Sequence, residues 1–295
     1  MNKIIALVNL VRPGQWIKNL FLFVPIFFAG ELTTTAKVWS VCIAFIAFCF
    51  VSSAVYVVND LRDIEADKLH PTKNKRPLAA GQVTVGEGWL TFALMVIISF
   101  VLVYQANNYS FVLIISSYLV INLAYSFGLK RVSIIEILIV SSGFVLRTIA
   151  GGMVANVEVS QWMVMMIFLL ALFIALAKRR DDILVFKKSG NLVRKSIKHY
   201  SLEYINALLI MISGIIIVSY LMYVISPDVM LRFHSPYLYI TSVFVVAGVM
   251  RYLQITLVEN KSGSPTKILY SDNFIRIVVI CWVVSFYFII YRFAS

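Results

Sequence analysis

The sequence predicts an all-α polytopic membrane protein with nine transmembrane helices. Of its 295 residues, 61% are apolar and only 14% are charged, and the mean hydropathy is +0.89. A typical soluble domain carries about 25% charged residues, which supply the polar surface that keeps it in solution. The composition therefore excludes soluble enzymes, soluble nucleic-acid-binding modules and disordered proteins.

The nine predicted spans follow from the spacing of the apolar runs. A hydrocarbon core about 30 Å thick needs roughly 20 mostly apolar residues per helix. Such runs place the spans at residues 16–30, 37–58, 89–105, 109–127, 133–154, 160–178, 203–225, 236–258 and 273–292. In the first span, Lys18 and Asn19 precede an apolar run that is too short to cross the hydrocarbon alone. We therefore expect helix one to carry both polar side chains partly into the protein interior.

The basic residues predict the orientation of the chain. If the N-terminus is cytoplasmic, the segments on that side hold 21 of the 26 Lys and Arg residues, and the outer segments hold only Lys37, Arg232 and Arg292. Cytoplasmic loops carry an excess of basic residues, so the N-terminus is predicted inside and the C-terminus outside the cell (inner) membrane. This distribution also explains the net charge of +12 without a nucleic-acid partner.

The connections between spans predict a single membrane domain, residues 1–295, with its active site on the cytoplasmic side. The outer connections are mostly short, whereas the cytoplasmic segments 59–88 and 177–203 are long. Long loops in compact domains are often functional, so we expect the active site in these two segments. Membrane lipids surround such a protein, and the sequence leaves open whether it forms a homo-oligomer.

A polar cluster follows the second span. Four oxygen-bearing side chains occur there: Asn59, Asp60, Asp63 and Asp67. In a helix, at about 100° per residue, the three aspartates share one face. Crowded carboxylates repel one another unless a cation lies between them, and hard oxygen ligands suit Mg²⁺. Because the basic residues Lys73 and Arg76 come soon after, the segment predicts a site for Mg²⁺ and a diphosphate. An ordinary charged loop is the competing interpretation.

The pattern NDxxDxxxD over residues 59–67 resembles the signature of the UbiA superfamily of intramembrane prenyltransferases. That resemblance implies a nine-helix bundle around a cytoplasm-facing cavity. Five further segments look like the branch that contains decaprenyl-phosphate phosphoribosyltransferase: RPGQWIKN (12–19), HPTKNKRP (70–77), YSFGLKR (125–131), SGFVLRTIAGG (142–152) and SPTKILYSD (264–272). The resemblance covers essentially the whole chain. It implies an enzyme that uses 5-phosphoribosyl 1-diphosphate as donor and a polyprenyl phosphate as acceptor.

The residues and the resemblance together give the substrate-binding candidates: Lys18, Asn19, Asn59, Lys73, Arg76, Tyr125, Lys130, Arg147, Lys178 and Arg179. Several of them have simpler interpretations. Lys18 could extend to the membrane interface, Lys130 could serve only to set the topology, and Arg147, in mid-span, could pair with Glu136 or with backbone. The basic second loop could bind anionic bilayer lipids.

The sequence leaves open whether a second metal binds. Many members of the superfamily carry a second DxxxD cluster in the second long loop, but in this chain Asp181 is followed four residues later by Val185. The loop is mainly cationic instead, which suits an anionic lipid head group.

The favoured hypothesis is a Mg²⁺-dependent polyprenyl-phosphate phosphoribosyltransferase. Asp60, Asp63 and Asp67 would act as catalytic residues by holding Mg²⁺, with Asn59 as a further ligand. The runner-up is the common superfamily activity, in which a prenyl group moves from a prenyl diphosphate to an aromatic or other acceptor. The same metal cluster serves both reactions, so it does not separate them. A transporter or lipid-binding scaffold is the remaining alternative.

Overall fold

The computed structural model describes residues 3–69, 73–105, 108–189, 195–233, 235–261, 268 and 271–291, and every regular element in these ranges is helical. Eight helical segments within them are long and apolar enough to cross a membrane. The chain is therefore an all-α integral membrane protein, as the sequence predicts. It divides into two compact units, Met1–Val159 and Ser160–Ser295. The single membrane domain expected over residues 1–295 stays a prediction.

The first unit consists of α-helices joined by turns and short 3₁₀-helices. In chain order these are α1 (Lys3–Val11), a 3₁₀-helix (Pro13–Phe23), α2 (Val24–Phe28), α3 (Thr35–Arg62), α4 (Ile64–Lys68), a 3₁₀-helix (Lys73–Lys75), α5 (Val85–Gln105), α6 (Tyr109–Phe127), a 3₁₀-helix (Leu129–Arg131) and α7 (Ile135–Ala155).

The second unit contains the remaining helices. In chain order these are α8 (Gln161–Ser189), a 3₁₀-helix (Lys195–His199), α9 (Leu202–Val224), α10 (Pro227–Phe233), a 3₁₀-helix (Leu238–Thr241), α11 (Ser242–Leu253), a π-helix (Gln254–Val258) and α12 (Asn273–Tyr291).

Eight of the nine predicted spans coincide with the long apolar helical segments, but the first does not, so the count of nine is not confirmed. Over residues 16–30 the chain forms the end of the Pro13–Phe23 3₁₀-helix and the short helix α2. Pro25 lies in the first turn of α2 and has no backbone N–H to continue a helix through that point. The predicted span over residues 16–30 is therefore not one continuous α-helix.

Helix α3 is the centre of the first unit. It packs against α1, α5, α6, α7 and the Pro13–Phe23 3₁₀-helix. Small residues such as Ala44 and Ala47 are fully buried on it, which lets neighbouring helices approach closely. Phe48 and Phe111 are also fully buried in this core. The end of α3 that carries Asn59 and Asp60 is therefore held by packing along most of the helix length.

The Pro13–Phe23 3₁₀-helix lies directly on α7 at Gly151. A Cβ atom added to Gly151 would lie 1.9 Å from the carbonyl oxygen of Leu22, far inside van der Waals contact. Only glycine permits this approach. The contact brings the polar residues of the 3₁₀-helix next to the middle of α7.

In the second unit, Arg180 on α8 joins three helical segments. Its guanidinium donates to the Oδ1 of Asn206 on α9 at 2.8 Å and to the backbone oxygen of Thr256 in the π-helix at 2.6 Å. It also donates to the Oδ1 of Asn260 at 2.7 Å. A π-helix changes the backbone hydrogen-bond pattern, and Arg180 satisfies one of the carbonyls within it.

Arg251, within the predicted span 236–258, is held near the end of α11 by two carboxylates. It lies 2.7 Å from Asp272 and 2.8 Å from Glu259. The hydrogen bond from Arg251 holds the pKa of Asp272 below its ordinary value. Most of the 264–272 segment lies outside the described residues.

Candidate active site

The four predicted metal ligands lie at the end of α3 and on the short helix α4. Asn59 and Asp60 are in the last turn of α3, Asp63 lies at the junction, and Asp67 is on α4. Asp63 has φ −106° and ψ 8°, in the bridge region of backbone space. The helix is interrupted there, so the expectation of one uninterrupted helical face is wrong, although the four residues remain close in sequence and structure.

Two arginines hold the buried aspartates. The Nη2 of Arg12 donates to both carboxylate oxygens of Asp60, at 2.5 and 2.7 Å. The Nη1 of Arg76 donates to Asp60 at 3.0 Å and to Asp67 at 2.6 Å. Since Asp60 and Asp67 are only 2% and 4% exposed, an unpaired negative charge on either would be costly.

Lys130 contacts the other two predicted metal ligands, Asn59 and Asp63. Its Nζ donates to the Oδ1 of Asp63 at 2.5 Å and to the Oδ1 of Asn59 at 3.1 Å. Lys130 thus lies where the sequence predicts a substrate-binding residue, next to the Asp-rich segment. Tyr125, near the end of α6, is half buried, and so is Lys73 in the Lys73–Lys75 turn. Residues 70–72 of HPTKNKRP lie outside the described part of the chain.

The formal charges within this group cancel, because three carboxylates meet three cations. We call these six residues the ion cluster: Arg12, Asp60, Asp63, Asp67, Arg76 and Lys130. Across the described residues, no three acidic, histidine or cysteine side chains are arranged to hold a metal. The donor chemistry nevertheless fits Mg²⁺, which prefers carboxylate and amide oxygens. The cations contact both carboxylate oxygens of Asp60 and one oxygen each of Asp63 and Asp67.

Arg12 is the member of this cluster that sequence interpretation did not include among the site residues. It adopts φ 54° and ψ 61° between α1 and the 3₁₀-helix, an uncommon backbone state for a residue other than glycine. The turn is fixed to α3 because the Oγ of Ser53 donates to the carbonyl of Val11 at 2.8 Å, while Trp16 donates to that Oγ at 3.0 Å. The only sequence signal is that Arg12 opens the RPGQWIKN segment.

A second polar group lies between α7 and the 3₁₀-helix. The Nε of Arg147 donates to Asn19 at 2.7 Å, its Nη1 to the carbonyl of Gly143 at 2.7 Å, and its Nη2 to the hydroxyl of Tyr118 at 2.8 Å. Asn19 is completely buried. The three hydrogen-bond acceptors of Arg147 are therefore all neutral. One of them is a backbone carbonyl, which is one of the two pairings that the sequence left open.

Tyr56 lies between the two polar groups. The guanidinium carbon of Arg12 is 5.1 Å from the centre of its ring, and the Nζ of Lys18 is 3.3 Å from its hydroxyl. Lys18 is therefore held inside the unit against α3. A lysine that only extends to the membrane interface would be exposed, whereas this side chain contacts a residue that also contacts the ion cluster.

An apolar groove runs between α6 and α7, with a volume of about 400 Å³. Its lining residues are Val120, Ile121, Ala124, Leu129, Ile135, Leu138, Ile139 and Ser142. Leu129 directly precedes Lys130 in the chain, so one end of the groove reaches the turn that supplies a cation to Asp63.

The second predicted loop begins later than expected. Helix α8 continues to Ser189, so Lys178 and Arg179 lie on a helix and not in a loop. Lys178 is exposed, whereas Arg179 is buried and donates to Asp182 at 2.6 Å. Residues 190–194 of the predicted loop lie outside the described residues.

The fold and the site together define a polytopic all-α membrane protein with an Asp-rich cluster at a helix end. The sequence pattern of the UbiA prenyltransferase family matches residues 20–289. The chain belongs to that family, which confirms the resemblance seen in its motifs.

The similarity to two curated relatives extends over almost the whole chain. A decaprenyl-phosphate phosphoribosyltransferase from Corynebacterium glutamicum is 32% identical over 94% of this chain and 84% of its own length. The protein of the same name from Mycolicibacterium smegmatis is 31% identical over 96% of this chain and 91% of its own length.

The fold is also that of a solved UbiA homologue. That homologue comes from Archaeoglobus fulgidus and was solved with GPP and Mg²⁺ bound. Its structure has a TM-score of 0.72 to this chain at 21% identity, and the match covers 97% of this chain and 99% of the homologue. At that identity the likeness concerns the fold alone.

Proposed function

We propose that the protein is a polyprenyl-phosphate phosphoribosyltransferase. It would transfer 5-phosphoribosyl from 5-phosphoribosyl 1-diphosphate to the phosphate of a membrane polyprenyl phosphate and release diphosphate. The two relatives named for this activity match nearly the whole chain. This whole-chain match is the observation that carries the proposal, and the ion cluster, with three carboxylates and three cations at one site, supplies the groups that the reaction needs. These are groups that a metal and phosphate oxygens use.

The donor would bind at the Asp-rich segment. Asp60, Asp63 and Asp67, with Asn59, would hold Mg²⁺, which when bound neutralises charge on the diphosphate leaving group. Lys73 and Arg76 would bind donor phosphates and so orient the ribose. The bond from the ribose C1 to the diphosphate oxygen breaks, and the bond from C1 to the acceptor phosphate oxygen forms.

The acceptor would approach along the apolar groove. An isoprenoid chain in the groove between α6 and α7 would place its phosphate near Lys130, because Leu129 lines the groove beside that residue. A phosphate monoester is largely ionised near pH 7, so the acceptor needs no strong general base. Lys18, Asn19, Tyr125, Lys178 and Arg179 are further candidates for the donor 5-phosphate or the lipid phosphate; Arg147 would position Asn19.

The proposed location is the inner membrane, with a cytoplasmic N-terminus and a cytoplasmic active site. The excess of basic residues in the segments 59–88 and 177–203 supports this orientation. A soluble donor such as 5-phosphoribosyl 1-diphosphate would then reach the ion cluster from the cytoplasm.

Transfer of a prenyl group is the second candidate, favoured by the match to the UbiA prenyltransferase family over residues 20–289. Purified protein in lipid nanodiscs would be given labelled 5-phosphoribosyl 1-diphosphate with polyprenyl phosphate, or a labelled prenyl diphosphate with an aromatic acceptor. We expect Mg²⁺-dependent label in the lipid fraction only from the first pair. The Asp63→Asn variant and EDTA serve as controls. Product from the second pair alone would replace the proposal with prenyl transfer.

A further inference from the structure

Each carboxylate of the ion cluster already has a cationic partner. Arg12 and Arg76 both contact Asp60, Arg76 also contacts Asp67, and Lys130 contacts Asp63. A divalent cation therefore meets competitors at the oxygens it would bind. Metal binding to either oxygen of Asp60, or to the Oδ2 of Asp67, competes with a guanidinium.

The two arginines and the two aspartates of the ion cluster differ in their exposure. The side chains of Arg12 and Arg76 are 22% and 24% exposed, whereas those of Asp60 and Asp67 are only 2% and 5% exposed. The arginine side chains are thus more accessible than the carboxylates that they contact.

A displaced guanidinium next to a bound divalent cation would be repelled by it. An anionic ligand removes this penalty, because its oxygens can contact both the metal and the guanidinium. The exchange is therefore favourable only when metal and anion arrive together. A diphosphate has enough oxygens to contact both at once.

We propose that Arg12 and Arg76 are exchangeable counter-ions: they neutralise Asp60 and Asp67 through these ion pairs and pass to the oxygens of a diphosphate group when a divalent cation takes the carboxylates. This inference rests on the proposed function only in assigning metal and diphosphate to the ion cluster. It gives Arg12 a substrate-positioning role, and it makes metal binding and diphosphate binding mutually dependent.

The local structure around Arg12 suits such an exchange. Its left-handed backbone and the Ser53 hydrogen bond to Val11 hold the turn in place, and the Tyr56 ring lies beside the guanidinium. The side chain can therefore change partners while its backbone stays fixed. Asp63 differs, since it is 27% exposed and more open than Lys130 at 15%. A metal can approach Asp63 without displacing an arginine.

The test measures two affinities by calorimetry on the full-length protein in nanodiscs. The first is that of Mg²⁺ alone, and the second is that of inorganic diphosphate in excess Mg²⁺. We expect Arg12→Gln and Arg76→Gln to bind Mg²⁺ alone at least about tenfold more tightly, because the charge-assisted hydrogen bonds of the replaced arginine no longer compete. The same variants should bind magnesium diphosphate at least about tenfold more weakly.

Opposite signs in the two affinities are the signature of exchange. The matched control is Arg62→Gln, which removes the same charge from the end of α3, where Arg62 contacts the Phe127 ring at 5.0 Å; neither affinity should change by more than about twofold. If both affinities fall in the arginine variants, the arginines are structural and the proposal is wrong. Unchanged Mg²⁺ affinity also overturns it.

Two features keep the result interpretable. If Arg12→Gln does not fold, Arg12→Lys retains the charge but loses the contact with both oxygens of Asp60, and Arg76→Gln tests the same exchange from the other side. Neither ribosyl donor nor polyprenyl phosphate is present in the experiment. A failure to detect phosphoribosyl transfer would therefore refute the proposed function without affecting this result.

Discussion

Replacement of Gly151 by alanine tests the contact that positions the Pro13–Phe23 3₁₀-helix against α7. The new Cβ would lie 1.9 Å from the carbonyl oxygen of Leu22 and 2.8 Å from its Cα. Both atoms belong to the backbone, so a rotamer change cannot relieve the overlap. The Pro13–Phe23 3₁₀-helix must move by at least about 1 Å to restore normal contact. The 2.7 Å hydrogen bond from Arg147 to Asn19 would then be broken or strongly weakened.

Two costs follow from that displacement. Overpacking of a core costs about 1–3 kcal/mol, and the loss of a hydrogen bond to a charged group costs about 1.5–3 kcal/mol. We expect Gly151→Ala to lower the unfolding temperature in detergent by several degrees. Gly214→Ala is the matched control, because nothing lies within 4 Å of the added Cβ at that glycine of α9. Equal unfolding temperatures for the two variants would refute the close-contact argument.

Three further predictions concern activity and topology. Asp60→Asn should reduce turnover by about 10²-fold or more while the protein stays folded; retention of a tenth of the wild-type rate at saturating Mg²⁺ would contradict the chelating role. Cysteines at Lys75 and Arg232 should be labelled from opposite sides of sealed vesicles, and labelling from one side would overturn the topology. Ala124→Trp should raise the KM for polyprenyl phosphate but not for the ribosyl donor. Leu113→Trp, on α6 outside the groove, should change neither KM. Equal effects of the two variants would contradict binding of the lipid chain in the groove.

Much of the fold could be predicted because long apolar helices leave a clear local signal. The segment Thr35–Arg62 and the other long spans have apolar runs that a hydropathy pattern detects. The first predicted span, residues 16–30, is not confirmed, because apolar composition does not report helix type. The prolines at positions 13 and 25 were the available signal for a break.

The end of α8 was misplaced for a related reason. The predicted span stops at residue 178, where the apolar run ends, but the helix continues to Ser189. Charged residues such as Lys and Arg are good helix formers, so loss of hydropathy marks the end of the apolar part and not the end of the helix.

The site was only partly accessible to sequence reasoning. Spacing predicts that Asn59, Asp60, Asp63 and Asp67 lie together, because they are neighbours along one segment. It does not predict that Arg12 lies against Asp60, since the pair is separated by 48 residues and depends on a left-handed turn. Tertiary packing alone creates that contact.

The hydrogen bond between Asn19 and Arg147 has a consequence for how the chain is made. The two residues are 128 positions apart, and a ribosome that adds about 5–20 residues per second needs roughly 6–25 s to synthesise the interval. During that time the amide of Asn19 cannot reach its arginine partner. The Pro13–Phe23 3₁₀-helix therefore cannot make this contact until the Arg147 region of α7 has been synthesised, when about half of the chain has been made.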